Sequence, residues 1–162
     1  MEPGTEVIDR PSARVLVLDE DDCALLFRYR RPQGGTLWAM PGGGLEGEET
    51  HEEGARREFF EETGQRIDAV GPWIWKRDHV WKWDDKHYRS IERIYLLRSP
   101  RFEIDLANAQ PLELEYLIDW RWWSRREIED DTAEMFVPRR LGELMRPIVE
   151  GALPDVPVDT GA

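Results

Sequence analysis

The chain has 162 residues, 40% hydrophobic and 35% charged, with a formal net charge of −12 at neutral pH. That length suits one domain with a sizeable core and is too short for two ordinary ones. The negative field repels a polyanion such as DNA or RNA unless a local basic stripe overrides it, so a small ligand is favoured over a nucleic-acid polymer. The uninterrupted apolar runs, such as residues 15–18, are far too short to span a membrane. An acidic, polar start unlike a secretory leader and a lone Cys23, which allows no intrachain disulfide, make a reducing cytoplasm the expected compartment.

Residues 1–11 hold two prolines and little apolar content, and read as a flexible lead to a domain over 12–150. Residues 13–19 and 23–30 are aliphatic runs around the Glu20-Asp21-Asp22 turn, a hairpin in which Cys23 reads as a small buried hydrophobe. Arg28 and Arg30 alternate on one strand face, either solvated or in contact with a substrate phosphate. After a loop at 31–35, residues 36–40 form a short strand that stops at Pro41. Residues 66–70 read as another short strand, broken by Gly71-Pro72.

Residues 73–83 and 86–98 are long extended runs around Asp84-Asp85, a second hairpin. In a regular strand Trp73, Trp75, Arg77, His79, Trp81 and Trp83 share one face. Such a face serves either as a stacking platform for a base, with Arg77 or His79 on phosphate, or as packing beneath helices or against a second subunit. Residues 99–111 read as a loop and 117–123 as a strand. Ser124 caps a short helix to residue 129, with Glu127 at its third position. Pro138 opens a helix to residue 150 with Leu141, Leu144, Met145 and Ile148 on one face, and 151–162 reads as a flexible tail. Hairpins on either side of a long helix, with more helix at the end, argue for an α/β fold, a mixed β-sheet covered on both faces.

That long helix is the stretch where composition, spacing and chemistry agree. In GGLEGEETHEEGARREFFEETGQ, residues 43–65, Thr50 and Glu53 form a capping box and Gly64 supplies a left-handed stop, which predicts a helix from His51 to Thr63. Glu58, Glu61 and Glu62 then stand at i, i+3 and i+4 on one face. In a cleft of effective dielectric about 20, charges about 6 Å apart cost about 3 kcal/mol per pair. Three ionised carboxylates in a cleft therefore need a cation, and hard oxygen ligands select Mg²⁺ or Mn²⁺. The alternative is an ordinary solvated acidic face; Arg57 beside the cluster and the glycine-rich entry weigh against it.

The stretch resembles the Nudix box: G, five residues, E, seven residues, R-E, an apolar residue, any residue, E-E, any residue, G, apolar. Gly43, Glu49, Arg57, Glu58, Phe59, Glu61, Glu62 and Gly64 match, Gln65 departs where an aliphatic residue is usual, and residues 38–44 extend the likeness. The resemblance implies an α/β/α sandwich and metal-dependent cleavage of a phosphoanhydride in a nucleoside di- or triphosphate or a nucleoside diphosphate linked to another group. Carried over by position, Glu58, Glu61 and Glu62 hold the metal, with the backbone near Gly43 as a further ligand. Arg57 pairs with Glu49 or Glu58, and Glu58 is one choice of base. Where the base lies outside the box, Glu115 is the first choice and Glu113 the second, each also readable as a solvated loop acid.

Arg28, Arg30 and Trp81 are the candidates for substrate contact, His79 and His87 are disfavoured as metal ligands because no Cys or paired His accompanies them, and His51, on the carboxylate side of the helix, reads as a surface residue at its start. Family signatures after the box are missing, with Val80 and Trp81 where many ADP-ribose cleavers carry proline and residues 81–83 in place of the tyrosine of many diadenosine-polyphosphate cleavers. By elimination this leaves a general nucleoside di- or triphosphate hydrolase, with a homodimer possible on this scaffold. Two other classes stay open: a nucleotide-sensing module, opposed by the intact acids, and an isoprenoid-diphosphate isomerase, which needs a cysteine that only Cys23 could supply.

Overall fold

A computed structural model describes residues 6–83 and 85–162. Its elements are β1 (Val7–Leu18), β2 (Ala24–Arg30), β3 (Thr36–Ala39), β4 (Gly42–Gly44), α1 (His51–Thr63), β5 (Trp73–Trp83) and β6 (Lys86–Arg98), followed by α2 (Pro111–Tyr116), β7 (Leu117–Trp123), α3 (Arg125–Asp130), β8 (Phe136–Val137), α4 (Leu141–Val149) and β9 (Val158–Asp159). The sheet runs β8-β3-β2-β1-β6-β5-β9, with β4 also on β1 and β7 also on β2. It is mixed: β1 lies parallel to β6, while β2 is antiparallel to β1, β3 and β7, and β5 antiparallel to β6.

Alternation along the central strands divides the core in two, because successive side chains of a strand point to opposite faces. Leu16, Leu18 and Leu26 pack with Leu141, Leu144, Met145 and Ile148 of α4. Val15, Val17, Leu25 and Phe27 pack with Ala55 and Phe59 of α1. Helices thus cover both faces, as the α/β/α expectation required. Leu141 is fully buried, so Leu141→Ala is expected to lower stability by about 2–5 kcal/mol through lost contact and an incompletely collapsed cavity, read from chemical denaturation midpoints.

Several elements differ from the sequence reading. β1 starts at Val7 instead of residue 13, since residues 8–11, all exposed, are held by the backbone ladder to β6 rather than by burial. The tail is tied down as well. β9 pairs with β5, Thr160 is buried and its N–H donates to the Lys76 carbonyl, and Arg139 N–H donates to the Ala162 carbonyl. Residues 66–70 form no strand; Ile67 and Val70 pack from a loop onto the α1-side core.

The glycines of β4 pair with β1, a strand no side-chain pattern could announce. The loop expected over 99–111 ends in α2, opened by Pro111. α4 begins at Leu141, after Pro138 rather than at it. A bulge at residues 73–75 sends Trp73 to the α1 side and Trp75 to the α4 side, so the tryptophans of β5 do not all share one face. Of the expected Asp84-Asp85 turn, Asp84 lies outside the described residues, and Asp85 has φ 63°. No helix among the described residues is long and apolar enough to cross a membrane.

Candidate active site

The N-terminus of α1 forms as its sequence dictates. Thr50 accepts from Glu53 N–H and the Glu53 carboxylate accepts from Thr50 N–H, a complete capping box, while Gly64 ends the helix in the left-handed region with φ 78°. This fixes which face of α1 meets β4. Gly42 N–H donates to Glu62 Oε2 at 2.9 Å. A Cβ on Gly43 would lie 2.7 Å from Glu58 Oε1, so only glycine lets the β4 backbone come this close to the carboxylate.

Arg57 ties the acids together. Its Nε donates to Glu49 at 2.7 Å and its Nη2 to Glu49 at 3.0 Å and to the Gly44 carbonyl at 2.9 Å. Its Nη1 reaches Glu58 and Glu61, both at 3.1 Å. The planar fork thus bridges the entry loop and two helical carboxylates, a geometry that an ammonium point charge cannot copy. Hydrogen bonding from Arg57 holds the Glu49 carboxyl below its ordinary range.

The structure gathers Glu58, Glu61 and Glu113, whose carboxylate oxygens all lie within 4.8 Å of one another. Glu113, the second choice for a base in the sequence, stands on α2 and enters the group. Glu115, the first choice, is exposed and contributes only its carbonyl, which accepts from Arg30. α2 explains the exchange: side chains two residues apart on a helix point to different sides. Glu62 stands outside the group of three, buried and turned to Gly42 N–H.

Burial lifts the Glu58 carboxyl above its ordinary range, and burial with the nearby charges of Glu58 and Glu113 lifts Glu62 well above it. Burial, then the charge of Glu58, pushes Glu113 up to about 7. Among the described residues, Glu58 Oε2 and Glu113 Oε2 have no hydrogen-bond partner. Free carboxylate oxygens converging from two helices fit a hard divalent cation such as Mg²⁺ or Mn²⁺. Because Glu113, pushed up to about 7, gives up a proton over this range and a metal favours its ionised form, Mg²⁺ affinity is expected to rise from pH 6 to pH 8. Calorimetric titration at both pH values checks this, and an unchanged affinity contradicts it.

The acids open on a groove of about 630 Å³ that reaches β5 and β6. Its lining includes Arg10, Arg14, Arg30, Arg31, Arg77 and Arg139, a concentration of cations in a chain of net charge −12. Composition alone hid this cluster, because the cations come from β1, β2, β5 and the loops after β2 and β8. Arg14 Nε donates to Glu92 Oε1 at 3.0 Å, and Arg77 Nη1 to Glu92 Oε2 at 3.3 Å.

Trp81 lines the groove, with its indole N–H on Ser90 Oγ at 2.7 Å and its ring stacked on Tyr88. Arg28 does not line it. Its guanidinium is paired with Asp119 and lies over Trp38, on the face opposite Tyr29. Cys23 sits half-buried in the turn before β2 and does not line the groove, which removes the ground for the isomerase alternative. His51 and His87 stay outside the carboxylate group, and His79 lines the groove apart from it.

Fold and site together define a class, and comparison with known proteins agrees. Residues 9–143 match the NUDIX domain model. A nucleoside triphosphatase NudI of Enterobacter sp. (strain 638) is 37% identical over a match covering 56% of this chain and 64% of that protein. Its counterpart in Salmonella newport (strain SL254) is 30% identical over 69% of this chain and 80% of its own length. The crystal structure of a MutT protein from Methanosarcina mazei Go1 superposes with a TM-score of 0.66 at 20% identity, covering 91% of this chain and 98% of that one. The chain belongs to the Nudix hydrolase family, enzymes acting on acid anhydride bonds.

Proposed function

We infer that this protein hydrolyses a phosphoanhydride bond of a nucleoside triphosphate with the help of Mg²⁺ or Mn²⁺. The observation that carries the reading is the convergence of Glu58, Glu61 and Glu113 at the mouth of a cation-lined groove. The names of the NudI relatives point to the same substrate class. A groove of about 630 Å³ suits a mononucleotide.

Glu58 and Glu61 would hold the metal, with Glu113 beside them and Glu62 completing the acidic wall. A divalent ion there supplies charge neutralisation of the polyphosphate and acidifies an attacking water. Arg57 keeps two of the carboxylates fixed. Arg14, Arg30 and Arg31 offer donors to phosphate oxygens, and the charge-assisted hydrogen bonds they form also orient the chain for in-line attack. Glu113, which comes from the separate element α2 and has an unpartnered oxygen, is our candidate to take the water proton. Glu113→Gln is expected to lower kcat by about 10²–10⁴-fold, the usual worth of a positioned base, while nucleotide binding changes little.

The experiment that tests the reading is a panel of nucleoside tri- and diphosphates and nucleotide-sugars with Mg²⁺, Mn²⁺ or EDTA, with products separated by anion-exchange chromatography. Metal-dependent turnover of triphosphates, with release of phosphate or pyrophosphate, is expected. Turnover confined to nucleotide-sugars, or unaffected by EDTA, overturns it.

A further inference from the structure

At its β5–β6 end the groove is built from a set of side chains not yet given a role. On β5 and β6, Arg77, His79, Trp81, Ser90 and Glu92 share the face that lines it. The fixed acceptor among them is Glu92, and both of its oxygens are occupied, one by Arg14 and one by Arg77. Ser90 Oγ already accepts from Trp81, which leaves the hydroxyl hydrogen to donate.

His79 Nε2 lies 3.3 Å from Arg77 Nη2. A guanidinium can only donate, so Nε2 is the acceptor and the ring proton sits on Nδ1. Arg77 Nε and His79 Nδ1 are both buried and, among the described residues, have no hydrogen-bond partner. Orphaned buried donors call for an explanation such as a ligand. Two unpartnered donors therefore stand at this end of the groove, whose lining also holds the indole of Trp81 and the apolar Val137 and Met135. An aromatic and apolar lining suits a planar ring better than a second phosphate.

We propose that this end holds the nucleobase and selects bases that present a carbonyl there, the 6-oxo purines and 4-oxo pyrimidines, over their amino counterparts. An exocyclic amino group would set donor against donor, whereas a ring carbonyl accepts from Arg77 or His79. The guanidinium pairing resembles the way arginine reads the O6 and N7 acceptors of guanine. The inference rests on the nucleotide reading above.

The cleanest test uses substrates that differ at the atoms in question. Inosine triphosphate against ATP, and UTP against CTP, exchange one carbonyl and one amino group on rings of equal size. Loss of a matched hydrogen bond with donors left unpaired predicts kcat/KM higher for the oxo member of each pair by about tenfold or more. Ratios within threefold of unity in both pairs overturn the proposal. Binding of the same four nucleotides to the protein in EDTA, by calorimetry, separates this from the hydrolase reading. No turnover of any of the four but tighter binding of the oxo members defeats the hydrolase and leaves the selectivity standing; equal binding defeats the selectivity. His79→Leu removes one donor and spares the Arg77–Glu92 pair, and it is expected to reduce both oxo-to-amino ratios at least threefold. Unchanged ratios in that variant remove His79 from the proposal.

Discussion

Glu58→Gln is expected to lower kcat/KM for a nucleoside triphosphate by about 10³-fold, a loss of about 4 kcal/mol in transition-state stabilisation. Glu58 is the member of the carboxylate group that also meets the glycine strand and Arg57. It meets Glu61 and Glu113 within 4.8 Å, lies against Gly43 and accepts from Arg57. The amide keeps the shape of the side chain and removes the charge, so a loss reports on the metal and its water rather than on packing. Glu61→Gln is expected to act in the same direction. If either variant, still folded by circular dichroism, retains Mg²⁺-dependent turnover within threefold of wild type, the assignment of the metal site fails.

Arg57→Ala is expected to damage stability and activity together. One guanidinium serves Glu49, Glu58, Glu61 and the Gly44 carbonyl. Removing it leaves buried carboxylates facing one another and releases the glycine loop that lies against Glu58. Hydrogen bonds to charged groups are each worth about 1.5–3 kcal/mol, so stability is expected to fall by about 2–4 kcal/mol and kcat/KM by about 10²-fold. Arg57→Lys restores a positive charge but not the fork. It should recover part of the stability and little of the activity, whereas full recovery of activity by lysine would show that charge alone matters there. Excess Mg²⁺ should partly rescue the stability of the alanine variant, since a cation answers the same repulsion.

Much of this could be read from the chain because local rules and global fold agree there. Thr50, Glu53 and Gly64 bound α1 by capping chemistry that acts within a few residues, and the helix runs from His51 to Thr63 as predicted. Aliphatic and extended runs around turns placed β2, β5, β6 and the second half of β1, and the spacing of Glu58, Glu61 and Glu62 placed them on one helix. What escaped the sequence depends on partners distant along the chain. β4 is three glycines given strand form by β1, and β9 is a tail segment given strand form by β5. The bulge at residues 73–75 reverses the faces of Trp73 and Trp75, which strict alternation cannot anticipate.

The choice between Glu113 and Glu115 turned on the short helix α2, opened by Pro111 in a stretch read as loop. Proline at a first helical turn followed by Leu-Glu-Leu-Glu was the available signal. Arg28 illustrates a different limit. Alternation put it on one face with Arg30, but Asp119 and Trp38 hold it away from the groove, and both come from other strands. The cationic lining was invisible for the same reason, being assembled across separate strands and loops within an acidic chain.

The central claim is that carboxylates from α1 and α2 converge on one divalent-ion site. A crystal grown with Mn²⁺ and a non-hydrolysable nucleoside triphosphate analogue, with anomalous scattering recorded at the manganese edge, tests it directly. An anomalous peak is expected within about 2.0–2.4 Å of oxygens from Glu58 and at least one of Glu61 and Glu113, with the polyphosphate beside it. Manganese bound elsewhere, with these carboxylates turned apart while the protein still hydrolyses the parent nucleotide, would contradict it.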